Sequence, residues 1–137
     1  EDISYKRIID NPHRRIYTTK HLLICGGWKP GCSTDNDAIV LAKTYKSKRV
    51  VNLTNIGQVH DKDPKKEKDA KPLNNLTWKE YLNIVGEKWV SGGNYPFDPI
   101  ASKEAQKKRV EVAVMKGLRN FKNYLQKKKF KGTIIKN

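Results

Sequence analysis

The chain has 137 residues, of which 36% are hydrophobic and 31% are charged, and its formal net charge at pH 7 is +15. This length corresponds to one domain, and the composition is lean for an independent globule without being that of a disordered chain. No apolar run approaches the roughly 20 residues of a membrane span, and residues 1–15 contain no apolar segment of a signal peptide. The basic charge favours phosphate or polyanion partners, although a merely soluble surface is also compatible with it.

The two cysteines, Cys25 and Cys32, are too few for a disulfide framework. The six residues between them do not match the spacing of zinc ligands, so the sequence predicts no metal site in the protein. Free thiols are typical of a reducing compartment, and we expect a cytoplasmic protein.

In chain order, the first predicted element is a short apolar run at 21–25, which is followed by two glycines and is typical of a buried strand. A helix is expected to begin next, with Ser33 or Thr34 as its cap. The β-branched run at 49–54 predicts a second strand. Residues 21–54 therefore predict a β-α-β unit with parallel strands.

The second half of the chain continues the alternation of predicted strands and helices. Residues 59–75 are polar and basic and predict a loop or a hairpin. Thr77 and Glu80 have the spacing of a capping box, at the start of a helix that ends before Gly86. The remaining predicted elements are a loop at 91–98, a helix with Asp98 as cap and Pro99 in its first turn, a strand at 110–115, a helix at 120–129 and a strand at 132–136.

Strands that alternate with helices predict an α/β layered fold, in which ligands bind at the carboxyl ends of the strands. One such end leads through the glycine-rich loop at 26–32 to Ser33 and Thr34, and another is at Thr54-Asn55. The free N–H groups and the dipole at a helix start favour an anion such as a nucleotide phosphate. A tight turn before an ordinary helix cap is the alternative interpretation of the same residues.

Four segments, taken in order, resemble the C-terminal half of the uridylate (UMP) kinases of the amino-acid-kinase superfamily, in particular those of the archaeal type. They are GGWKPGCSTDNDA (26–38), VVNLTNIGQVHDKDPKK (50–66), NYPFDPIASKEAQKK (94–108) and KGTII (131–135). The resemblance implies a three-layer α/β/α sandwich with a mostly parallel sheet. It also implies the transfer of a phosphoryl group from ATP to UMP in pyrimidine nucleotide biosynthesis, with ATP and Mg²⁺ as cofactors, by an assembly of identical chains.

Position by position, the resemblance implies three groups of site residues. Asp35 matches an acidic residue that organises active-site lysines, which makes it the candidate catalytic residue. The candidate ATP contacts are Thr54, Asn55, His60 and Asp63. The loop that would hold the UMP phosphate consists of Gly27, Trp28, Lys29, Pro30, Gly31, Cys32, Ser33 and Thr34.

The chain departs from the family pattern at several places. Residues 56–60 read IGQVH where the family has VDGVY, and Trp28 replaces a threonine that is common in the acceptor loop. Residues 1–20 contain no counterpart of the glycine-rich loop, the lysine and the arginine of the family's N-terminal half. We therefore expect residues 1–20 to be the tail of a missing half or a linker, and residues 21–137 to be a nucleotide-binding domain.

These patterns predict the ATP-binding half of a UMP kinase-like enzyme, inactive without its N-terminal half or a partner chain. Two alternatives stay open. One is a non-catalytic basic module that binds nucleic acid or nucleotides, which the lysine runs would favour. The other is a kinase of a different phosphate acceptor within the same superfamily.

Overall fold

A computed structural model describes residues 2–90 and 93–137 of the chain. In chain order, the helices and strands of this part are α1 (Thr34–Thr44), β1 (Arg49–Leu53), β2 (Val59–His60), β3 (Pro72–Leu73), β4 (Asn75–Thr77), α2 (Trp78–Val85), α3 (Pro99–Lys108), β5 (Glu111–Met115), α4 (Leu118–Leu125) and β6 (Gly132–Lys136). Within these residues, no helix combines the length and the apolar character needed to cross a bilayer.

The main sheet has four strands in the order β1-β5-β6-β4, and β2 and β3 form a separate antiparallel pair. β1 runs parallel to β5 and β4 runs parallel to β6, whereas β5 and β6 are antiparallel. Two of the three neighbouring pairs are therefore parallel. This arrangement of a mixed sheet with helices confirms the predicted α/β fold class.

The core lies between β5 and the helices α1, α2 and α3. Val112 and Val114 of β5 face this side and are fully buried. The Tyr81 hydroxyl donates a 2.7 Å hydrogen bond to the carbonyl of Phe97 and accepts one of 2.8 Å from its N–H, which fixes the ring in the core. Further core side chains are Ile39, Ala42, Trp78, Ala101, Ala105 and Ile135.

The helix α4 lies on the opposite face of the sheet, where it contacts β5 through Tyr124. Ala113 and Met115 alternate with the core valines along β5 and are also fully buried. The Tyr124 hydroxyl of α4 donates a 2.9 Å hydrogen bond to Oε1 of Glu111. Glu111 lies on the same face as Ala113 and Met115, because side chains alternate along a strand. The sheet therefore separates two helical layers, as the three-layer prediction requires.

Three of the four predicted helices begin with a side-chain cap, whereas α4 begins after Gly117 without one. Ser33 accepts a 3.1 Å hydrogen bond from Asn36 N, so Ser33 is the cap of α1. The capping box at Thr77 is confirmed, since Glu80 Oε2 accepts a 2.7 Å hydrogen bond from Thr77 N. Asp98 caps α3 through the backbone N–H groups of Ile100 and Ala101, at 2.6 Å and 2.9 Å.

The prediction of a buried strand at 21–25 is wrong. Leu22 and Ile24 are 46% and 50% exposed, and the run forms only isolated parallel bridges, Ser4 with Leu22 and Ile9 with Cys25. The predicted β-α-β unit is also wrong, because β1 pairs with β5 and not with this run. Apolar composition favours an extended segment, but it does not specify which segment will satisfy its backbone hydrogen bonds.

The remaining boundaries differ by a few residues. The hairpin expected within 59–75 is confirmed by β2 and β3, with Val59 opposite Leu73, but β4 was not predicted. The helix predicted at 120–129 begins at Leu118 and ends at Leu125, where the chain turns through a positive φ of 55° at Lys127. Residues 91 and 92 of the predicted loop at 91–98 lie outside the described residues, and residues 93–97 contain no helix or strand.

Candidate functional site

The loop before α1 contains a type II turn. The N–H of Cys32 donates a 3.2 Å hydrogen bond to the carbonyl of Lys29, with Pro30 and Gly31 at the two central positions. Gly31 has φ +85°, a conformation that this turn requires at its third position and that glycine adopts without strain. The turn directs the chain into Ser33 and the first turn of α1, so the predicted phosphate loop leads directly to a capped helix start.

The carboxylate of Asp37 fastens this loop to α1. Asp37 is only 4% exposed, and its Oδ2 accepts a 3.0 Å hydrogen bond from the backbone N–H of Trp28. Its other oxygen, Oδ1, is buried and has no hydrogen-bond partner among the described residues. Sequence reasoning missed this role, because a carboxylate in the first turn of a helix is ordinarily explained by the helix dipole.

The ring of Trp28 is in contact with His13 and Lys29. The ring of His13 meets it edge-on with centroids 4.7 Å apart, and Nζ of Lys29 lies 4.1 Å from its ring centroid. A cation at this distance from an indole face is attracted by the ring quadrupole. Trp28 therefore holds the positive charge of Lys29 beside the loop.

The candidate catalytic residue Asp35 joins the starts of two helices. Its Oδ2 accepts a 2.8 Å hydrogen bond from the N–H of Asp98, the cap of α3. Burial raises the pKa of Asp35 above its ordinary value; the hydrogen bond from Asp98 opposes this shift and the nearby Asp98 charge adds to it. The lysine-organising role of Asp35 stays a prediction, since the hydrogen bond that the structure gives its carboxylate is to this backbone group.

A cavity of about 440 Å³ lies between the starts of α1 and α3. Gly31, Cys32 and Ser33 from the predicted loop line one side of it. Trp89 and Ile100, which sequence reasoning did not identify, provide apolar surface on the other side. The only sequence signal for Trp89 was an apolar Trp-Val pair at 89–90 within a polar connection. The cavity thus combines a helix start suited to an anion with apolar surface suited to an organic group.

Thr54 and Asn55 lie at the carboxyl end of β1, as predicted. The N–H of Thr54 donates a 3.0 Å hydrogen bond to the carbonyl of Met115, which extends the pairing of β1 and β5 by one residue. Asn52 Nδ2 donates a 2.8 Å hydrogen bond to the carbonyl of Pro96, two residues before the cap of α3. The end of β1 is thereby tied to the segment that borders the cavity.

The other two candidate ATP residues lie along the hairpin. His60 is in β2, with its Nδ1 3.2 Å from the carbonyl oxygen of Gln58. Asp63 is exposed, and its Oδ1 accepts a 2.9 Å hydrogen bond from Lys65 N, as in an ordinary turn. None of the hydrogen bonds in the described part joins either residue to Thr54 or Asn55.

The segment IGQVH (56–60), which departs from the family pattern, is held to β6 by Gln58. Gln58 is buried, and its Nε2 donates hydrogen bonds of 2.9 Å to Asn74 Oδ1 and 3.1 Å to the carbonyl of Gly132. The adjacent N–H of Val59 donates to Thr133 Oγ1 at 2.9 Å. The segment that departs from the family pattern is therefore a fixed part of the fold.

No group of three or more His, Cys, Asp and Glu side chains within residues 2–90 and 93–137 could hold a metal ion. Magnesium commonly binds through substrate phosphates and waters with only one or two carboxylates. A magnesium site of this kind does not require a group of three protein ligands.

Comparison with known proteins identifies one family. The model of the amino acid kinase family matches residues 6–116. The chain is 36% identical over 103 residues to a uridylate kinase of Methanococcus aeolicus, covering 74% of this chain and 46% of that protein. It is 31% identical over 118 residues to a uridylate kinase of Sulfurisphaera tokodaii, covering 83% and 52%. The chain spans about half the length of the curated relatives it matches.

Solved structures show the same fold. The uridylate kinase from Archaeoglobus fulgidus superposes with a TM-score of 0.81 over 97% of this chain and 61% of that chain, at 24% identity. UMP kinase from Ureaplasma parvum gives a TM-score of 0.63 over 79% and 43%, at 21% identity. At this level of identity, the likeness establishes the fold alone.

Proposed function

The chain belongs to the amino acid kinase family, and we propose that it is the nucleotide-binding half of a UMP kinase-like enzyme. The complete enzyme would transfer the γ-phosphoryl group of ATP to UMP, giving ADP and UDP for pyrimidine nucleotide synthesis. The observation that carries this proposal is the convergence of residues 31–33 and the starts of α1 and α3 around one cavity, with the carboxyl end of β1 tied to the segment before α3.

In the proposed site, residues 27–34 hold the phosphate of UMP. The first amide groups of α1 and the hydroxyl of Thr34 face an anion favourably, and Lys29 adds a positive charge beside the loop. Thr54 and Asn55 contact ATP at the end of β1, with His60 and Asp63 on the adjoining hairpin. Mg²⁺ comes with ATP as part of the substrate.

The proposed chemistry depends on positioning and on cations around the transferred phosphoryl group. UMP presents an ionised phosphate oxygen as the nucleophile, so no base is needed to remove a proton. In this proposal Asp35 is a positioning residue that orients a lysine from another part of the assembly. Because the family's N-terminal cations have no counterpart in this chain, we expect the isolated chain to bind ATP weakly and to be inactive.

An exposed apolar edge of the chain supports the proposal that an N-terminal half or a partner chain packs against it. The extended segments at 2–9 and 21–26 pair with each other through five backbone hydrogen bonds of 2.8–3.1 Å. Ile3, Ile8, Leu22 and Ile24 on these segments are all exposed. Several exposed apolar side chains on one pair of segments are typical of a surface that another protein covers. We propose that an N-terminal half or a partner chain packs here, and that the assembly contains several copies of the chain.

The experiment that tests this proposal is co-expression with the N-terminal half of the Methanococcus aeolicus relative. We expect the two pieces to co-purify and to bind UMP and ATP by calorimetry more tightly than this chain alone. If the pieces do not associate and the chain alone is a well-folded monomer, the proposal of a nucleotide-binding half is wrong. A polar variant pair on the edge, Leu22→Ser with Ile24→Ser, should abolish co-purification, whereas Leu118→Ser on α4 should not.

The apolar surface of Trp89 and Ile100 in the cavity favours a second candidate, a kinase of another phosphate acceptor in the same superfamily. A larger or less polar acceptor than UMP would use this surface. The same co-purified assembly, assayed with a panel of phosphorylated acceptors, separates the two candidates. A non-catalytic basic module and a cytoplasmic location stay predictions.

A further inference from the structure

A second groove, lined by polar and charged side chains, lies at the end of the sheet opposite the candidate site. Strands β1 and β5 begin at this end, with Arg49 opposite Glu111, and β6 ends there at Lys136. The groove has a volume of about 530 Å³. The side chains that line it are Lys48, Arg49, Arg109, Glu111, Lys136 and Asn137.

The side chains of the groove carry four positive charges and one negative charge. The negative one, Glu111, accepts a hydrogen bond from Tyr124, whose pKa burial raises to about 12, so its partner is a neutral phenol. The ion pairs found in the described part of the chain join Lys62 to Asp69, Lys103 to Glu87 and Lys107 to Glu104, and use none of the groove cations. The positive charge of the groove is therefore offset only in part, by Glu111, and none of its cations forms an ion pair among the described residues.

Arg109 occupies a backbone position that favours glycine. It ends α3 with φ 53° and ψ 44°, and its N–H donates to the carbonyls of Ala105 and Gln106. Glycine is the common residue at such a helix end, because it adopts a positive φ without steric cost. An arginine at this position is explained if its guanidinium binds a ligand in the groove.

Neutralisation of helix ends is the simpler explanation for such cations. Lys46 and Lys127 also have positive φ after α1 and α4, and cations are favourable at the negative end of a helix. These two lysines do not line the groove, however, and a helix-end role accounts for them fully. Arg109 differs, because Lys48, Arg49 and Lys136 from two strands and a connection converge with it.

We propose that this groove binds the linked phosphates of an oligophosphate, such as inorganic tripolyphosphate or the triphosphate of a nucleotide. Several converging cations match an anion with several charges, and a guanidinium can bind phosphate oxygens through two hydrogen bonds. The volume lies within the range of small-molecule sites. The lining side chains include no aromatic ring on which a nucleic-acid base could stack, which favours phosphates over a single-stranded nucleic acid.

The proposal is tested on the ¹⁵N-labelled chain with tripolyphosphate, ATP and a short oligonucleotide as separate probes. Titration by NMR should give saturable shifts at the amides of Lys48, Arg109 and Lys136 with tripolyphosphate. Equal shifts there with ATP would identify nucleotides as a source of the ligand, and their absence would identify free oligophosphate. Tighter binding of the oligonucleotide than of tripolyphosphate would overturn the proposal in favour of nucleic acid.

Variants distinguish a specific binding groove from a surface that is only generally basic. Arg109→Gly fits the backbone conformation and should fold at least as well, yet weaken tripolyphosphate binding about tenfold. Lys48→Ala with Lys136→Ala should weaken it further. The matched control, Lys128→Ala with Lys129→Ala, removes the same charge outside the groove lining and should change the affinity less than about twofold. Equal losses in both pairs, or no saturable binding by the unaltered chain, would show that the groove is not a site.

Discussion

The carboxylate of Asp35 accepts a 2.8 Å hydrogen bond from the backbone N–H of Asp98, and this contact joins the first turns of α1 and α3. Asp98 in turn caps α3 through Ile100 N and Ala101 N, so the two helix starts are held as one unit. This link fixes the relative position of the two helix starts that border the cavity. A side chain that would serve catalysis in the proposed assembly is thus also a structural connection.

Asp35→Asn separates the two roles. Asparagine keeps an oxygen that can accept from Asp98 N but removes the charge. If Asp35 orients a lysine, kcat of the complete assembly should fall about 10²-fold, the scale of losing one electrostatic stabiliser, with little change in UMP affinity. Steady-state kinetics with UMP and MgATP measure this. An unchanged kcat would mean that Asp35 serves only as a connection.

The pH dependence of stability gives an independent test of the environment of Asp35. Burial raises its pKa in the folded state, so the folded protein holds this proton to higher pH than the unfolded chain does. Its contribution to stability is therefore present below the ordinary pKa of 3.8 and is lost as pH rises through the folded-state value. Relative to the unaltered chain, Asp35→Asn should become more stable as pH rises from about 4 to 7. Urea unfolding at several pH values checks this, and a stability difference independent of pH would contradict it.

The bond between Asp37 and Trp28 predicts different effects for two substitutions. Asp37→Ala leaves the N–H of Trp28 without its acceptor and should lower the free energy of unfolding by about 1–3 kcal/mol. Asp37→Asn keeps an acceptor oxygen and removes a buried charge, so its cost should be clearly smaller. Urea denaturation of both variants decides. Equal losses would show that the charge, and not the hydrogen bond, holds the loop.

The type II turn predicts a difference between two glycines of the same loop. Gly31→Ala introduces a side chain at φ +85° and should cost about 1–2 kcal/mol of stability through backbone strain alone, since a Cβ there meets no atom within 4 Å. Gly27→Ala is the matched control, because Gly27 has neither a positive φ nor an atom within 4 Å of the added Cβ. It should be nearly neutral. Thermal unfolding of both variants measures the difference, and a loss shared by both would rule out the turn as its cause.

Local signals predicted more of the structure than long-range pairing did. Thr77 with Glu80 and Asp98 with Pro99 begin helices as expected, because a cap depends on residues within one turn. The run at 21–25 failed because its partner is the segment at 2–9, and no local pattern specifies such a pairing.

In the candidate site, too, local signals were predicted better than long-range contacts. The loop at 26–33 was placed correctly before α1 and the pair Thr54-Asn55 at the end of β1, but the strand expected before the loop does not form. Trp89 and Ile100 were not identified as cavity residues, because only the tertiary fold brings the connection before α3 and the start of α3 to the loop. The hydrogen bond from the Trp28 N–H to the Asp37 carboxylate was not predicted either, because it forms only once the loop packs against the start of α1.

The measurement that tests the central claim most directly is phosphoryl transfer by the assembly of this chain with the N-terminal half of the Methanococcus aeolicus relative. Transfer of labelled γ-phosphate from ATP to UMP should appear at about 1–100 s⁻¹ with both pieces present, and should be undetectable with either piece alone. Full turnover by the isolated chain would contradict the claim that it is half of the catalytic unit. A stable assembly that binds ATP but transfers no phosphate to UMP would contradict the claim that it is a UMP kinase.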